Sequence, residues 1–266
     1  MKLDLRSLHL RRQVIRCIAA TRRGHIGSAM SLIEILRVLY DSVLKFNPKK
    51  PEWNFRDYLI LSKGHGCLAL YSILADKKFF SEKHLDTTCT TNSILGGHPE
   101  FNKVPGVEAS TGSLGHGLPI AVGIALANRL KKKQNSVYVI IGDGELNEGS
   151  NWEAMLAASK HKLNKLTIIM DYNKIQSYGR TKEVLDLEPI KKKILGFNLN
   201  VKEANGHDIR DLKKKILSFK KSKKTNFLIC HTIKGKGISF AENNPLWHHK
   251  NNIDDATFKK LYSELN

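Results

Sequence analysis

Two apolar stretches of this chain each end in a residue whose side chain could bind a hard metal ion. The run SVYVIIGDG places Asp143 between two glycines, and the run KLTIIMDYN ends at Asn173, thirty positions later. Glycine on both sides of Asp143 lets the backbone turn sharply and leaves amide N–H groups available to anionic oxygens. Mg²⁺ prefers about six oxygen ligands, some from protein and the rest from phosphates and water. The two stretches therefore indicate a site for a divalent cation and a diphosphate.

A simpler interpretation of the glycine-flanked aspartate remains open. A lone Gly-Asp-Gly is more often a strand-to-helix turn in which Asp143 caps the following helix. The matching position of Asn173 favours the metal site, because neighbouring parallel strands would bring both side chains to one edge of a sheet.

The elements that would position these residues alternate between strand and helix. Short apolar runs predict strands at residues 57–62, 136–144, 165–173, 197–204 and 226–233. Helical patterns fall at residues 3–21, 31–43, 67–76, 115–133, 151–161 and 208–221. This alternation predicts an α/β fold in which helices flank a parallel sheet in three layers. Ligands bind such sheets at the carboxyl ends of the strands, which is where Gly64-His65, Asp143 and Asn173 fall.

Three segments carry further expectations. Ser31 is predicted to cap the helix at residues 31–43, with Glu34 as its capping-box partner. Residues 79–112 are too long and too polar for a simple connection, which is typical of a functional loop. The last 25 or so residues predict an arm and a helix. We expect one domain over residues 1–266, with an N-terminal helical segment and this C-terminal arm.

The charge balance makes nucleic acid a candidate ligand. The chain has 44 Lys+Arg against 25 Asp+Glu, a formal net charge of +19, and neutralisation of phosphates drives non-specific binding to nucleic acid. The lysines, however, lie in short runs at helix ends and in connections, and no recognition helix accompanies them. We therefore do not expect nucleic acid to be the primary ligand.

Cysteine and hydropathy patterns indicate where the protein resides. The four cysteines lie far apart without a Cys-x-x-Cys pair, and Cys17 and Cys67 fall in apolar helical patterns. This favours buried free thiols over disulfides or a zinc site. The N-terminus is charged, and no run approaches the ~18 apolar residues of a membrane span. We expect a cytoplasmic protein that does not enter a membrane.

Six motifs resemble, in order, those of thiamine diphosphate enzymes of the transketolase family. GDGELNEGSNWEA followed by DYNKIQ resembles the motif that binds the diphosphate and its metal ion. The other five are GHIGSAMS, SKGHG, GGHPE, STGSLGHGL and KGKGISFAENNPLWH. Together they run from Gly24 to His248. The resemblance implies the thiamine diphosphate-binding fold, specifically the domain that holds the diphosphate.

The resemblance also implies roles for matching residues. Mg²⁺ would be bound by the side chains of Asp143 and Asn173 and by the backbone carbonyl of Ile175. Residues that would hold thiamine diphosphate are His65, Gly112, Ser113, Leu114, Gly144, Asn173 and His248. Residues that would act in catalysis are His25, His98, His248 and Glu148; the histidines would line the substrate channel, and the glutamate matches an acid that links cofactor sites across a subunit contact.

Local sequence separates these histidines from the others. His25, His65 and His98 each follow a glycine, which gives a ligand close access to an imidazole that can shuttle protons near neutral pH. An isolated histidine is usually solvated or hydrogen-bonded, and we interpret three others so: His84, His161 and His207.

Some positions leave the alignment with the family open. His248 adjoins His249, and Trp247-His248 fits the family spacing better. Many full-length transketolases have Pro and Gln where this chain has Ser113 and His116, so contacts there can differ.

Length is the largest difference from the family. Family chains continue into a second α/β domain, which supplies the glutamate that starts the chemistry, and a third domain. We therefore expect the N-terminal subunit of a split transketolase, partnered by a separate C-terminal subunit with the pyrimidine-binding domain, two copies of each. The pair would transfer a two-carbon ketol unit from a ketose phosphate to an aldose phosphate, as in the pentose phosphate pathway.

Two alternatives accompany this hypothesis. One is a subunit of a related thiamine diphosphate enzyme, either like deoxyxylulose phosphate synthase or specialised for another sugar. The other is a basic binding module that kept the fold without catalysis. Intact Asp143, Asn173 and Glu148, together with the loop histidines, argue against the module.

Overall fold

Five short apolar runs form one parallel sheet in the computed structural model, which describes residues 3–266. The strands are β1 Tyr58–Leu61, β2 Val137–Gly142, β3 Leu166–Tyr172, β4 Asn200–Asn205 and β5 Asn226–His231. Their order in the sheet is β1-β2-β3-β5-β4, and every neighbouring pair is parallel. All residues of β2 and β3 are buried, as expected for central strands covered on both faces.

Helices cover both faces of the sheet. They are α1 Leu5–Cys17, α2 Ile26–Met30, α3 Ile33–Val38, α4 Cys67–Asp76, α5 Gly117–Leu130, α6 Gly149–Lys160, α7 Thr181–Val184, α8 Ile190–Gly196, α9 Ile209–Ser218 and α10 Asp255–Ser263. One hydrophobic core joins the sheet to α1, α3, α4 and α9. A second core joins the opposite face to α5, α6 and α8. The predicted three-layer α/β fold is confirmed.

The start of the chain is ordered by capping. Asp4 accepts a hydrogen bond from the backbone N–H of Ser7 at 2.8 Å, which satisfies one of the free donors at the start of α1. The helix ends at Cys17 rather than at residue 21, because a turn there leads into Gly24.

The predicted capping box at Ser31 and Glu34 is wrong. The helical run begins earlier, after His25, and breaks between α2 and α3, so Ser31 lies at the break rather than at a helix start. Its hydroxyl donates to the buried carboxylate of Asp171 at 2.6 Å. Glu34 turns inward to pair with Arg11 at 2.6 Å. Both side chains satisfy buried charges, which are more costly to leave unpaired than a helix end.

The two irregular segments behave as their composition predicts. Residues 79–112 contain one short 3₁₀ turn, Glu82–Thr87, and are otherwise irregular. The C-terminal arm returns to the N-terminal segment, where Gly24 and Lys250 exchange two backbone hydrogen bonds of 2.9 and 3.0 Å. This pairing brings the histidines of the arm beside His25.

Two further observations concern the sequence expectations. All four cysteines are free thiols, and three of them are buried. Within residues 3–266, no helix combines the length and the apolar character that crossing a membrane requires.

Candidate active site

The carboxyl ends of three neighbouring strands meet at one cavity of about 270 Å³, which we call the inner cavity. Lys63 and His65 follow β1, Asp143 follows β2, and Asn173 follows β3. The strands are parallel neighbours, so their ends converge without any special loop. The inner cavity is lined by these predicted residues: His25, His65, His98, Gly112, Leu114, Asp143, Gly144, Asn173, Ile175 and His248.

Asp143 lies buried between the ends of β2 and β3. Its carboxylate accepts hydrogen bonds from the backbone N–H of Gly144 at 2.9 Å and of Lys174 at 2.5 Å. The first of these caps the short turn Gly144–Asn147, so the simpler interpretation of the Gly-Asp-Gly motif also describes a real contact. Burial and the nearby Asp171 raise the pKa of Asp143 to about 7. A cation at this position would relieve both effects.

The other predicted metal ligands lie next to this carboxylate. The side-chain oxygen of Asn173 accepts a hydrogen bond from the N–H of Ile175 at 3.1 Å, and its amide nitrogen is 3.3 Å from Asp171. The carbonyl of Ile175 accepts a hydrogen bond from Lys234 Nζ at 2.8 Å. A carboxylate, an amide oxygen and a backbone carbonyl are the hard donors that suit Mg²⁺. Residues 3–266 contain no group of three His, Cys, Asp or Glu side chains placed to hold a metal ion. The predicted ligands are of a different kind, since only one of the three is such a side chain.

Two lysines buried at the inner cavity were not singled out from the sequence. Lys63 and Lys234 are each only 1% exposed. Lys63 Nζ lies 2.5 Å from Asp171, whereas Lys234 faces a carbonyl and a histidine. Burial and the charge of Lys63 lower the pKa of Lys234 to about 7. The signal that could have identified them was the position of each lysine inside a quoted motif, SKGHG and KGKGISF, directly after an apolar strand.

Four histidines form one wall of the inner cavity. The His25 ring lies 5.3 Å from the His65 ring, 5.4 Å from the His248 ring and 6.4 Å from the His98 ring, centroid to centroid. Burial and neighbouring cationic groups lower the pKa of His25 to about 4 and that of His248 to about 3. These two rings are therefore neutral at pH 7 and can both donate and accept hydrogen bonds.

The surroundings of His248 fix its tautomer. Lys234 Nζ lies 2.6 Å from its Nδ1; as an ammonium group Lys234 can only donate there, which places the ring proton on Nε2, 3.3 Å from the hydroxyl of Ser177. His249 lies outside the inner cavity, on the far side of His25, with ring centroids 4.4 Å apart. The geometry thus brings His248, rather than its neighbour, to the predicted metal ligands.

Two predicted residues lie apart from the inner cavity. Ser113 is exposed in the turn before α5, and Glu148 is exposed at the N-cap of α6. Neither side chain lines the inner cavity. The nearby Glu145, which the sequence did not single out, is buried and accepts hydrogen bonds from the N–H groups of Gly115 at 3.0 Å and Gly142 at 3.1 Å. It holds the loop before α5 against the end of β2.

The inner cavity has the hydrogen-bonding capacity to receive an anionic group. The hydroxyl of Ser28 and the amide nitrogen of Gln176 are buried at its wall, and neither has a hydrogen-bond partner within the described part of the chain. Native proteins rarely leave such groups unpaired. Together with the ammonium of Lys234, these donors fit a phosphate-bearing ligand, and the oxygen set around Asp143 fits its metal ion.

Comparison with known proteins decides the family. The family described as transketolase, thiamine diphosphate binding domain, matches residues 7–264. The chain belongs to this family. Thiamine diphosphate binding, predicted from the motifs, is supported by this match.

Relatives in the transketolase family match over most of the chain. An apulose-4-phosphate transketolase subunit of Actinobacillus succinogenes is 44% identical over 94% of this chain and 91% of its own length. The 6-deoxy-6-sulfo-D-fructose transketolase subunit SqwG of a Clostridium species is 39% identical over 91% of this chain and 88% of its own. The crystal structure of transketolase from Campylobacter jejuni superposes with a TM-score of 0.88 at 31% identity. The match covers 99% of this transketolase-family chain and 43% of that longer chain.

Proposed function

We propose that this chain is the N-terminal, diphosphate-binding subunit of a transketolase divided between two polypeptides. With a separate C-terminal subunit it transfers a two-carbon ketol unit from a ketose phosphate to an aldose phosphate. Residues 1–266 form its single diphosphate-binding domain. The observation that carries the proposal is the convergence of Asp143, Asn173 and Ile175 with four histidines and two lysines at one edge of the sheet.

The chain's own residues would hold the cofactor by its charged end. Asp143, Asn173 and the carbonyl of Ile175 would bind Mg²⁺, and Lys234 and Ser28 would donate to diphosphate oxygens. Further contacts come from these residues: His65, Gly112, Ser113, Leu114 and Gly144. When bound, thiamine diphosphate supplies the electron sink for ketol transfer. Lys234 would donate to a phosphate oxygen in place of the Ile175 carbonyl, and that carbonyl would then be available to the metal ion.

The histidines would handle the hydroxyl protons of the sugar. Neutral His25 can accept a proton from one hydroxyl and return it to another, His248 donates a hydrogen bond to the sugar from its Nε2–H, and His98 holds the ketol end by hydrogen bonds. The fixed Nε2–H of His248 starts as a donor, and Lys234 stabilises that tautomer.

The names of its relatives support a partner and a sugar substrate. Relatives are named as transketolase subunits for apulose 4-phosphate and for 6-deoxy-6-sulfo-D-fructose. We infer a cytoplasmic enzyme of sugar metabolism, either in the pentose phosphate pathway or in the use of a specialised sugar. We infer an assembly of two copies of each subunit, in which Glu148, exposed on this chain, is available to a contact between copies.

Reconstitution tests the proposal. The chain is co-expressed with a candidate chain carrying the pyrimidine-binding domain, and ketol transfer is assayed with and without thiamine diphosphate and Mg²⁺. We expect transfer only from the pair and only with both additions. Equal activity from this chain purified alone, or from the pair after chelation of Mg²⁺ and removal of the cofactor, would contradict it.

A further inference from the structure

A second cavity, which we call the outer chamber, adjoins the histidine wall on the side away from the metal ligands. Its volume is about 420 Å³, within the range of small-molecule sites. His25, His65 and His98 line both this chamber and the inner cavity. A ligand whose reacting end lies at these rings therefore has a direct path into the outer chamber.

The polar lining of the outer chamber is cationic. Arg23 and Lys103 carry the positive charge of its wall, His249 lies there as well, and no aspartate or glutamate of residues 3–266 does so. Hydroxyl groups of Thr21, Thr90 and Ser93 complete its polar surface. The lining thus combines donors for a terminal anion with donors and acceptors for sugar hydroxyls.

Arg23 is the residue best placed to bind an anion. It is exposed, and within residues 3–266 its guanidinium has no side-chain hydrogen bond and no ion pair. By contrast, the adjacent Arg22 is 3.0 Å from Asp255 and stacks on the Phe258 ring at 3.7 Å. Lys103 is already paired with Glu100 at 3.0 Å. A planar guanidinium with all its donors available suits a tetrahedral oxyanion, which it can bind with two parallel hydrogen bonds.

A larger cavity elsewhere on the chain lacks this character. It measures about 610 Å³ and has an aromatic wall, and its charged residues are of both signs: Lys50, Glu52, Arg56, Lys103 and Glu108. Its arginine, Arg56, forms an ion pair with Glu108 at 2.7 Å, so its charge is already neutralised. Size alone therefore does not identify the anion site, whereas uncompensated positive charge next to the histidines does.

We propose that the outer chamber binds the anionic terminus of the sugar substrate, a phosphate or a sulfonate, and that Arg23 is its principal contact on this chain. The inference rests on the proposed function. It adds that the diphosphate-binding subunit itself takes part in selecting a sugar with a terminal anion, through Arg23 with His249 and Asn251 beside it.

Arg23→Gln and Arg22→Gln form a matched pair, since each removes one positive charge from adjacent positions. Both are made in the reconstituted pair of subunits, loaded with thiamine diphosphate and Mg²⁺. The probes are fructose 6-phosphate, 6-deoxy-6-sulfofructose and uncharged fructose; KM and kcat are measured by ketol transfer, and Kd by calorimetry. The first two probes distinguish a phosphate site from a sulfonate site.

We expect Arg23→Gln to raise KM and Kd about tenfold for the preferred anionic sugar, the size of one lost charged hydrogen-bond contact. Values for fructose, kcat and cofactor retention should stay within about twofold, and Arg22→Gln should change none of them. Equal weakening for fructose and the anionic sugars, or no change in either, would overturn the inference while ketol transfer stands. If ketol transfer were absent but calorimetry still showed Arg23-dependent binding of an anionic sugar, the proposed function would fail and the anion site would remain.

Discussion

Two buried clusters of charge differ in how fully their hydrogen bonds are satisfied. In the first, which we call the brace cluster, Glu34 accepts from Arg11 at 2.6 Å and from His207 at 2.8 Å. His207 in turn accepts from the N–H of Ile233 at 2.8 Å. In the second, the cavity cluster, Asp143 and Lys234 lie at the inner cavity without a direct partner of opposite charge among residues 3–266. The first cluster joins α1 and α3 to the segments after β4 and β5, and the second faces a space.

The difference appears in the direction of the pKa shifts. Although burial opposes it, Arg11 and His207 hold the pKa of Glu34 far below its ordinary value. Burial instead moves the pKa of Asp143 up, and that of Lys234 down, each to about 7. The brace cluster stabilises the charged form of Glu34, whereas the surroundings of the cavity cluster disfavour the charged forms of Asp143 and Lys234. Buried charge that lacks compensation is typical of a site that receives its partner from outside the chain.

Breaking the brace cluster should have the largest effect on folding. Glu34→Ala leaves Arg11, which is fully buried, without its carboxylate, and we expect a loss of about 3–5 kcal/mol in the free energy of unfolding. Urea denaturation followed by circular dichroism measures it. Cofactor affinity of the fraction that remains folded should change little. A loss below about 1 kcal/mol would contradict the assigned role.

Breaking the cavity cluster should have the opposite effect, with a large loss of cofactor affinity and little change in folding stability. Asp143→Ala removes a metal ligand, and we expect affinity for thiamine diphosphate with Mg²⁺ to fall at least about 100-fold, since even indirect partners of a metal site contribute about 10–100-fold. The stability of the unliganded chain should change little, because removal of an unfavourable buried charge offsets the loss of the hydrogen bonds from Gly144 and Lys174. Calorimetry on the reconstituted pair and urea denaturation of this chain measure the two quantities.

Asp143→Asn serves as the matched control for this variant. It keeps one oxygen donor of the same reach, so its affinity should lie between those of the wild type and Asp143→Ala. Retention of full cofactor affinity by Asp143→Ala would remove the metal site from this position.

The histidine wall predicts a pH dependence that the brace cluster does not share. The pKa of His25 is lowered to about 4 in the folded chain, so between pH 4 and its ordinary value of 6.5 the unfolded chain binds more protons. Stability should therefore fall as pH drops through that window. We expect His25→Gln to recover about 1 kcal/mol near pH 4.5, a discounted value because the ring is only partly buried. Urea denaturation from about pH 4.5 to 7.5 tests this; equal slopes in both proteins would contradict it.

Sequence patterns predicted the fold more completely than the electrostatics of the site. Apolar runs with glycine turns identified every strand of the described chain, because central parallel strands must be apolar on both faces. The same patterns predicted that Asp143 and Asn173 lie at one edge of the sheet. They assigned Ser31 and Glu34 to a helix cap, since local spacing does not reveal that distant charged residues compete for those side chains. Buried lysines after β1 and β5 were missed for a similar reason: a lysine in a basic chain is expected at the surface.

The smallest predicted effect comes from a surface copy of the brace contact. His231 and Glu203 are also 2.8 Å apart, but their side chains are 45% and 34% exposed, against 6% and 1% for His207 and Glu34. We expect His231→Ala to change the free energy of unfolding by less than about 1 kcal/mol, and less still at high salt, because water solvates either partner once it is alone.

The matched variant of the buried pair should behave differently. His207→Ala leaves a carboxylate oxygen of Glu34 and the N–H of Ile233 buried without a partner, at a cost of about 2 kcal/mol or more that salt does not screen. Both variants are measured by urea denaturation in low and high salt. Equal losses would show that burial does not separate the two contacts. The comparison of the brace and cavity clusters assumes that a buried group without a partner is costly. Equal losses would remove that assumption, and ligand binding alone would then distinguish the two clusters.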